Sequence, residues 1–312
     1  MKNLLLVTAI SMSFPLSAFA QTTTPIHEVA GVPLVNVSLD GTGPYLFVLD
    51  TGATVTMVKS QLLHALKVAP TRSEIITSSF GESKQQRVSP RSLGVAGLGA
   101  DNIEIDMLEE GQLGILERHA QGILGENFLK HFDVLIDNDR HTLTLDRTNS
   151  LAQSLAGERL PLSLGGRSPE DLTPDRLIVA LRAPSLIERS MLFLVDSGTN
   201  TAIVYPLKNE TLFSRGVASG RIDSLNRNQT CRLARTPLTI GSQIYHQVVM
   251  AICENMAHDN VDNDGLLPTR LFRRLFISHR DKYLIVNPSS ASKGKDANIK
   301  LAETITEKVT MP

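Results

Sequence analysis

The chain of 312 residues predicts an all-β protein built of two similar lobes. Short apolar and β-branched runs alternate with Gly, Pro, Asn and Asp turns along most of its length, the pattern of closed or sandwiched β architecture. Helical periodicity is confined to a turn or two at Gln61 to Leu66, Asn127 to His131 and Arg270 to Leu275. The events of the first half also recur in the same order in the second. A repeat of more than about 100 residues is too long for a solenoid unit and reads as duplicated domains.

The N-terminus comes first and reads as a processing signal. Lys2 gives a positive start, Leu4 to Ile10 an apolar stretch, and Ala18-Phe19-Ala20 the small residues a signal peptidase requires. Ser11, Ser13 and Pro15 interrupt the stretch, which argues against a membrane anchor. Residues 1–20 are therefore expected to be a signal peptide, and the mature protein to be exported, periplasmic or secreted, with no membrane contact.

The first lobe is expected over 21–150. A strand at Leu34 to Leu39 and a Gly-rich turn at Asp40 to Pro44 lead through Tyr45 to Leu49 into Asp50. A polar hairpin follows at Ser73 to Val88, with Phe80-Gly81 at its tip. Alternation at Ile103 to Leu108 predicts another strand, ahead of Gly122-Ile123-Leu124-Gly125. Two strands, Val134 to Ile136 and Thr142 to Leu145, close the lobe across Asn138-Asp139. Residues 151–176, rich in Gly, Ser and Pro, read as the connection.

The second lobe, 177–288, replays the order. Leu177 to Leu181 and Met191 to Val195 lead into Asp196, Ser219 to Gln229 takes the hairpin position, and Ile244 to Ile252 is β-rich. Gly265-Leu266-Leu267-Pro268 is the counterpart of Gly122 to Gly125. Phe276-Ile277 and Tyr283 to Val286 close the lobe across Arg280-Asp281. Residues 289–312 form a polar, lysine-rich tail, in which Ile299 to Val309 is a candidate edge strand.

Composition narrows the function. A formal charge of −1 with scattered Lys and Arg excludes a nucleic-acid surface. The basic cluster Arg270 to Arg280 reads as solvated positions on an amphipathic segment. There is no His-Glu-x-x-His, no Gly-x-Ser-x-Gly elbow and no phosphate loop after a strand. Asp259, Asp262 and Asp264 do not match a calcium loop and read as a solvated turn. Neither a metal nor an organic cofactor is expected. Cys231 and Cys253 are an even pair in an exported chain, read as a bridge with two buried thiols as the alternative; the bridge is worth about 3 kcal/mol in the chain-entropy model.

Two triplets carry the chemistry: Asp50-Thr51-Gly52 and Asp196-Ser197-Gly198. Each Asp ends an apolar strand, each triplet precedes a second apolar patch (Val55 to Val58, Ala202 to Val204), and each is followed some seventy positions later by an apolar pair after Gly. With these features the chain resembles the aspartic protease family over about Ile26 to Asn287. It looks two-lobed like pepsin, with lobes as spare as retropepsin monomers. The resemblance implies the bilobal acid-protease fold, with Asp50 and Asp196 as the catalytic pair in a cleft between β-barrel-like lobes. It implies that Thr51, Gly52, Ser197, Gly198 and Thr199 brace the two loops, that Ile123, Leu124 and Gly125 support the first, and that Phe80 and Gly81 belong to a flap over substrate. Pro268 departs from the pattern, since it removes an N–H and any positive φ where the second supporting segment would have Gly.

The expected function is that of a monomeric aspartic endopeptidase acting on peptide or protein substrates. The competing expectation is an inactive relative that binds peptides or acts as a periplasmic sensor, favoured by Pro268 and the spare flaps. The triplets also differ. The Thr199 hydroxyl is placed to donate to Asp196, whereas Ala53 offers nothing equivalent at Asp50, which predicts Asp196 as the ionised member and Asp50 as the protonated one.

Overall fold

The computed structural model describes residues 20–78, 81–163, 176–207, 212, 218–224, 227–253 and 263–291. The proposed signal peptide, Phe80 of the expected flap, Asp259 and Asp262, and the candidate strand Ile299 to Val309 lie outside the described residues.

Each half folds around its own sheet. In the first, eight strands run in the spatial order His27–Val29, Val32–Leu39, Thr42–Leu49, Gly122–Leu124, Thr56–Lys59, Leu98–Leu108, Gly81–Val95 and Pro70–Ser78. A further pairing of Val32–Leu39 with Gly81–Val95 folds this sheet back on itself. In the second, the order is Ile178–Ala183, Ile187–Asp196, Gly265–Pro268, Ala202–Val204, Gln243–Ile252, Arg227–Ile240 and Ala218–Ser224, and Ile178–Ala183 again touches Arg227–Ile240. Apart from the edge strand His27–Val29, this is the same path, as the repeated sequence order predicts. The architecture is all-β, and among the described residues the α-helices are short ones at Ser60–Ala65, Glu126–Leu129 and Ser150–Ser154.

The two closing hairpins were legible, but not their union. Asp133–Asp137 pairs antiparallel with Arg274–Ser278 in the register Val134↔Ile277 to Asp137↔Arg274. The closing strands of both halves thereby become one six-stranded sheet under the lobes, edged by Gln21–Pro25 on one side and Leu160–Pro161 on the other. Its inner strands Asp133–Asp137, Arg274–Ser278 and Tyr283–Val286 are buried on both faces, so their middles are continuous apolar runs rather than alternating ones. Leu275, Phe276 and Ile277 are all buried. That corrects the helical reading of Arg270 to Leu275: beyond a single 3-10 turn at Thr269–Leu271, the segment is strand. The expected bare connection also carries structure, because Leu155–Ala156 pairs with Ser289–Ser290 and Leu160–Pro161 pairs with Tyr283–Val286.

Cys231 and Cys253 form a disulfide in the second lobe. It joins neighbouring strands one step beyond the pair Arg232↔Ile252, at the base of the hairpin formed by Ala218–Ser224 and Arg227–Ile240. Replacing both cysteines by alanine should lower folding stability by about 3 kcal/mol. Thermal unfolding with and without reductant checks this: the parent should lose stability in reductant and the variant should not.

Candidate active site

Both Asp residues sit at the ends of buried strands held in the middle of their sheets. Thr42–Leu49 runs parallel to Gly122–Leu124 in the register Leu49↔Leu124, and the Asp50 N–H donates to the Leu124 carbonyl at 3.1 Å. Ile187–Asp196 runs parallel to Gly265–Pro268 in the register Asp196↔Pro268. Ile123 and Leu124 are buried, so the strand that carries Asp50 lies on an apolar support.

The residues after each Asp lock the two halves together. The Thr51 N–H donates to Ser197 Oγ at 3.0 Å, and that hydroxyl donates to the Leu49 carbonyl at 2.7 Å. Reciprocally, the Ser197 N–H donates to Thr51 Oγ1 at 3.1 Å, and the Thr51 hydroxyl donates to the Val195 carbonyl at 2.8 Å. Thr51 and Ser197 are both buried, so each hydroxyl spends its donor and an acceptor site on the opposite loop, and loss of either leaves polar groups unpaired.

Close approach explains the glycines. A Cβ on Gly52 would lie 2.7 Å from Asp196 Cγ, and one on Gly198 would lie 2.6 Å from Asp50 Cγ. Each glycine faces the other lobe's carboxyl, and no side chain fits in either place.

The carboxyls themselves meet. The Gly52 and Ala53 N–H groups donate to Asp50 Oδ1 at 2.9 and 3.1 Å, and the Thr199 N–H donates to Asp196 Oδ1 at 3.1 Å. The two side chains are hydrogen-bonded to each other, and each is only 9% exposed, which leaves a sliver of surface open to solvent. Burial raises the pKa of Asp50. It raises that of Asp196 well above the ordinary carboxylate range, with the charge of Asp50 adding to the effect. Two buried carboxyls in contact cannot both ionise without large cost, so the pair shares one proton.

The hydroxyl bond from which the triplets predicted an ionised Asp196 is not formed. The Thr199 hydroxyl donates to the Thr201 carbonyl at 3.2 Å rather than to Asp196, so Asp196 is supported by the backbone N–H groups of Gly198 and Thr199. Asp50 is supported in the same way by the backbone N–H groups of Gly52 and Ala53.

Residues 35–128 match a family model described as aspartyl protease. The matched segment, within the first lobe, contains Asp50-Thr51-Gly52 and Ile123-Leu124-Gly125. The chain as a whole has the aspartic proteinase fold: it is similar to the crystal structure of aspartic proteinase from Irpex lacteus, at 13% identity and a TM-score of 0.50, over 88% of this chain and 98% of that chain. No curated protein matches the chain by sequence.

Pro268 fits its place in this fold. Gly125 has φ −99° and Pro268 has φ −69°, so neither position requires a left-handed backbone. In the first lobe the Gly125 N–H donates to the Thr56 hydroxyl at 3.1 Å. Six residues after the second Asp, the residue in the place of Thr56 is Ala202, which has no hydroxyl to receive such a bond. The lost N–H and the lost acceptor match.

The flap expectation is described only in part. Gly81 pairs with Ser78 at the end of the hairpin Pro70–Ser78 and Gly81–Val95. Sequence reading missed one feature, a buried pair behind Asp50. His279 Nε2 lies 2.7 Å from Glu126 Oε2, and His279 Nδ1 lies 2.7 Å from the Phe132 carbonyl. The available signals were a Glu directly after the apolar run ending at Gly125 and a His closing the apolar strand through Ile277. Asp264, read as part of a solvated turn, is instead buried and accepts from Arg189 and the Leu192 N–H.

Proposed function

We propose that this protein is an exported aspartic endopeptidase in which Asp50 and Asp196 activate a water between the lobes. The observation that carries the reading is the mutual hydrogen bond of two buried carboxyls, each also held by backbone donors. Burying two like-charged groups side by side is unfavourable unless they share a proton. A pair that holds one proton has both a base and an acid ready. Aspartic protease dyads are the standing example of this behaviour.

The proposed chemistry starts with the shared proton on Asp196, whose carboxyl pKa is raised by burial and by the charge of Asp50. The Asp50 carboxylate takes a proton from the bound water as its oxygen attacks the peptide carbonyl carbon. The Asp196 carboxyl donates its proton to the carbonyl oxygen, giving a neutral tetrahedral diol. Asp50 then passes its proton to the departing nitrogen while Asp196 takes one back from the diol, the C–N bond breaks, and the pair returns to its starting state. No metal or organic cofactor enters these steps. Both halves of the dyad come from one chain, so a monomer suffices. The disulfide is compatible with an oxidising compartment and supports export. A peptide-binding module without catalysis has no use for the two buried carboxyls and the exact spacing that the glycines permit, and this disfavours the alternative.

Digestion of a mixture of denatured proteins between pH 3 and 7 tests the proposal. Cleavage that pepstatin abolishes is expected; intact proteins at every pH would contradict it.

A further inference from the structure

The two lobes differ behind the dyad. One residue past Gly125 stands Glu126, buried, while the matching position one past Pro268 is the neutral Thr269. Glu126 is tied to the loop that holds Asp50. Its N–H donates to the Ala53 carbonyl at 2.7 Å, and the Ala53 N–H donates to Asp50 Oδ1 at 3.1 Å. Its carboxyl is pinned from below by His279, which follows the strand Arg274–Ser278 of the six-stranded sheet.

The hydrogen-bonding roles of His279 are forced. The Phe132 carbonyl can only accept, so Nδ1 carries a hydrogen. Nε2 faces Glu126 Oε2, and the pair therefore holds one proton between them. The other carboxylate oxygen, Oε1, is buried without a hydrogen-bond partner among the described residues. Burial opposes charge on His279, but Glu126 and the Phe132 carbonyl outweigh it, so the pair is held as carboxylate and imidazolium, and the Glu126 charge is the one that acts on Asp50. The charged groups around the pair are few. His279 is faced by Glu126, by Asp133 at the start of the neighbouring strand and by Lys282 from the following turn, and Asp133 is in turn faced by Arg280. Asp50 is faced by Asp196 and by Glu126.

We propose that Glu126, pinned by His279, is a positioning residue of the reaction: its buried charge holds the shared proton on the Asp50–Asp196 pair to less acidic pH and extends activity towards neutrality. Repulsion from Glu126 acts on Asp50 in the same direction as burial. This inference rests on the reading of Asp50 and Asp196 as the catalytic pair.

Titration of the two Asp carboxyls by 13C resonances in the intact protein tests it, with Glu126→Gln and Glu126→Asp beside the parent. A Gln amide can still donate to His279 Nε2, so the fold keeps its hydrogen bond while the charge is lost. Glu126→Gln should move both ionisations of the dyad to lower pH by about half to one unit, and both limbs of the kcat/KM profile with them. Glu126→Asp keeps the charge and should keep at least half of that difference. If Glu126→Gln does not fold, the double variant Glu126→Gln/His279→Gln, whose amides can bond each other, carries the same test. Dyad titrations unmoved by loss of the charge, or moved equally by both single variants, would overturn the proposal. The titration needs no substrate, so a parent that cleaves no peptide sinks the function proposed above and leaves the effect of Glu126 measurable.

Discussion

Asp50→Asn and Asp196→Asn should each lower kcat/KM for peptide cleavage by about 10³-fold or more, and the double variant should be little worse than either single one. Residues that act as a unit are strongly non-additive, because removing one leaves its partner without a function. Either amide also abolishes the shared proton, since an amide neither takes a proton from water nor gives one to a carbonyl. The same substitutions should raise thermal stability at neutral pH. The sign follows from Asp196, whose pKa lies higher in the folded state than in the unfolded one. The folded state then binds protons more readily, so stability falls as pH rises from the ordinary carboxylate range through the folded value. Asp196→Asn removes that loss at neutral pH and gains nothing in strong acid. Unfolding curves at pH 3 and pH 7 for parent and variant check the sign; equal stability changes at both would contradict it.

Gly52→Ala and Gly198→Ala should be nearly as damaging to activity, at about 10²-fold, although neither residue takes part in the chemistry. The added methyl would stand 2.7 Å from Asp196 Cγ or 2.6 Å from Asp50 Cγ, so the facing carboxyl must move out of its bond with its partner. Displacements of about 1 Å in a catalytic group have effects of this size. The expected signature is a fall in kcat at little change in KM, measured on a single peptide substrate. Parent-like turnover in both variants would mean that the carboxyls do not need their observed approach.

Much of this site was legible because its parts are local. Asp50-Thr51-Gly52 and Asp196-Ser197-Gly198 each carry an acid, a small hydroxyl and a residue without a side chain, and their equivalent places in a duplicated chain say that they meet. The apolar runs ending in Leu49 and Val195 locate both at the ends of central strands. Non-local features were less visible. Arg270 to Leu275 reads as a helical turn leading into the strand Phe276-Ile277, and only the pairing with Asp133–Asp137 shows that the strand already begins at Arg274. The partner of the Thr199 hydroxyl depends on the turn that brings the Thr201 carbonyl within reach. Glu126 and His279 lie far apart in sequence, and neither belongs to a spacing that reveals the other. Pro268 looked like a defect until Ala202 was seen to lack the hydroxyl that would have needed its N–H.

The pH dependence of kcat/KM for the parent, measured between pH 2 and 8 on one peptide, tests the shared proton most directly. A pair active only with one proton must lose activity in acid, when Asp50 is protonated, and again at higher pH, when Asp196 gives up its proton. The structure predicts a bell whose upper limb lies well above the ordinary carboxylate range, because burial and the neighbouring charge hold that proton. A profile that rises through a single carboxylate ionisation and stays level to pH 8 would contradict it, for one ionised Asp would then suffice.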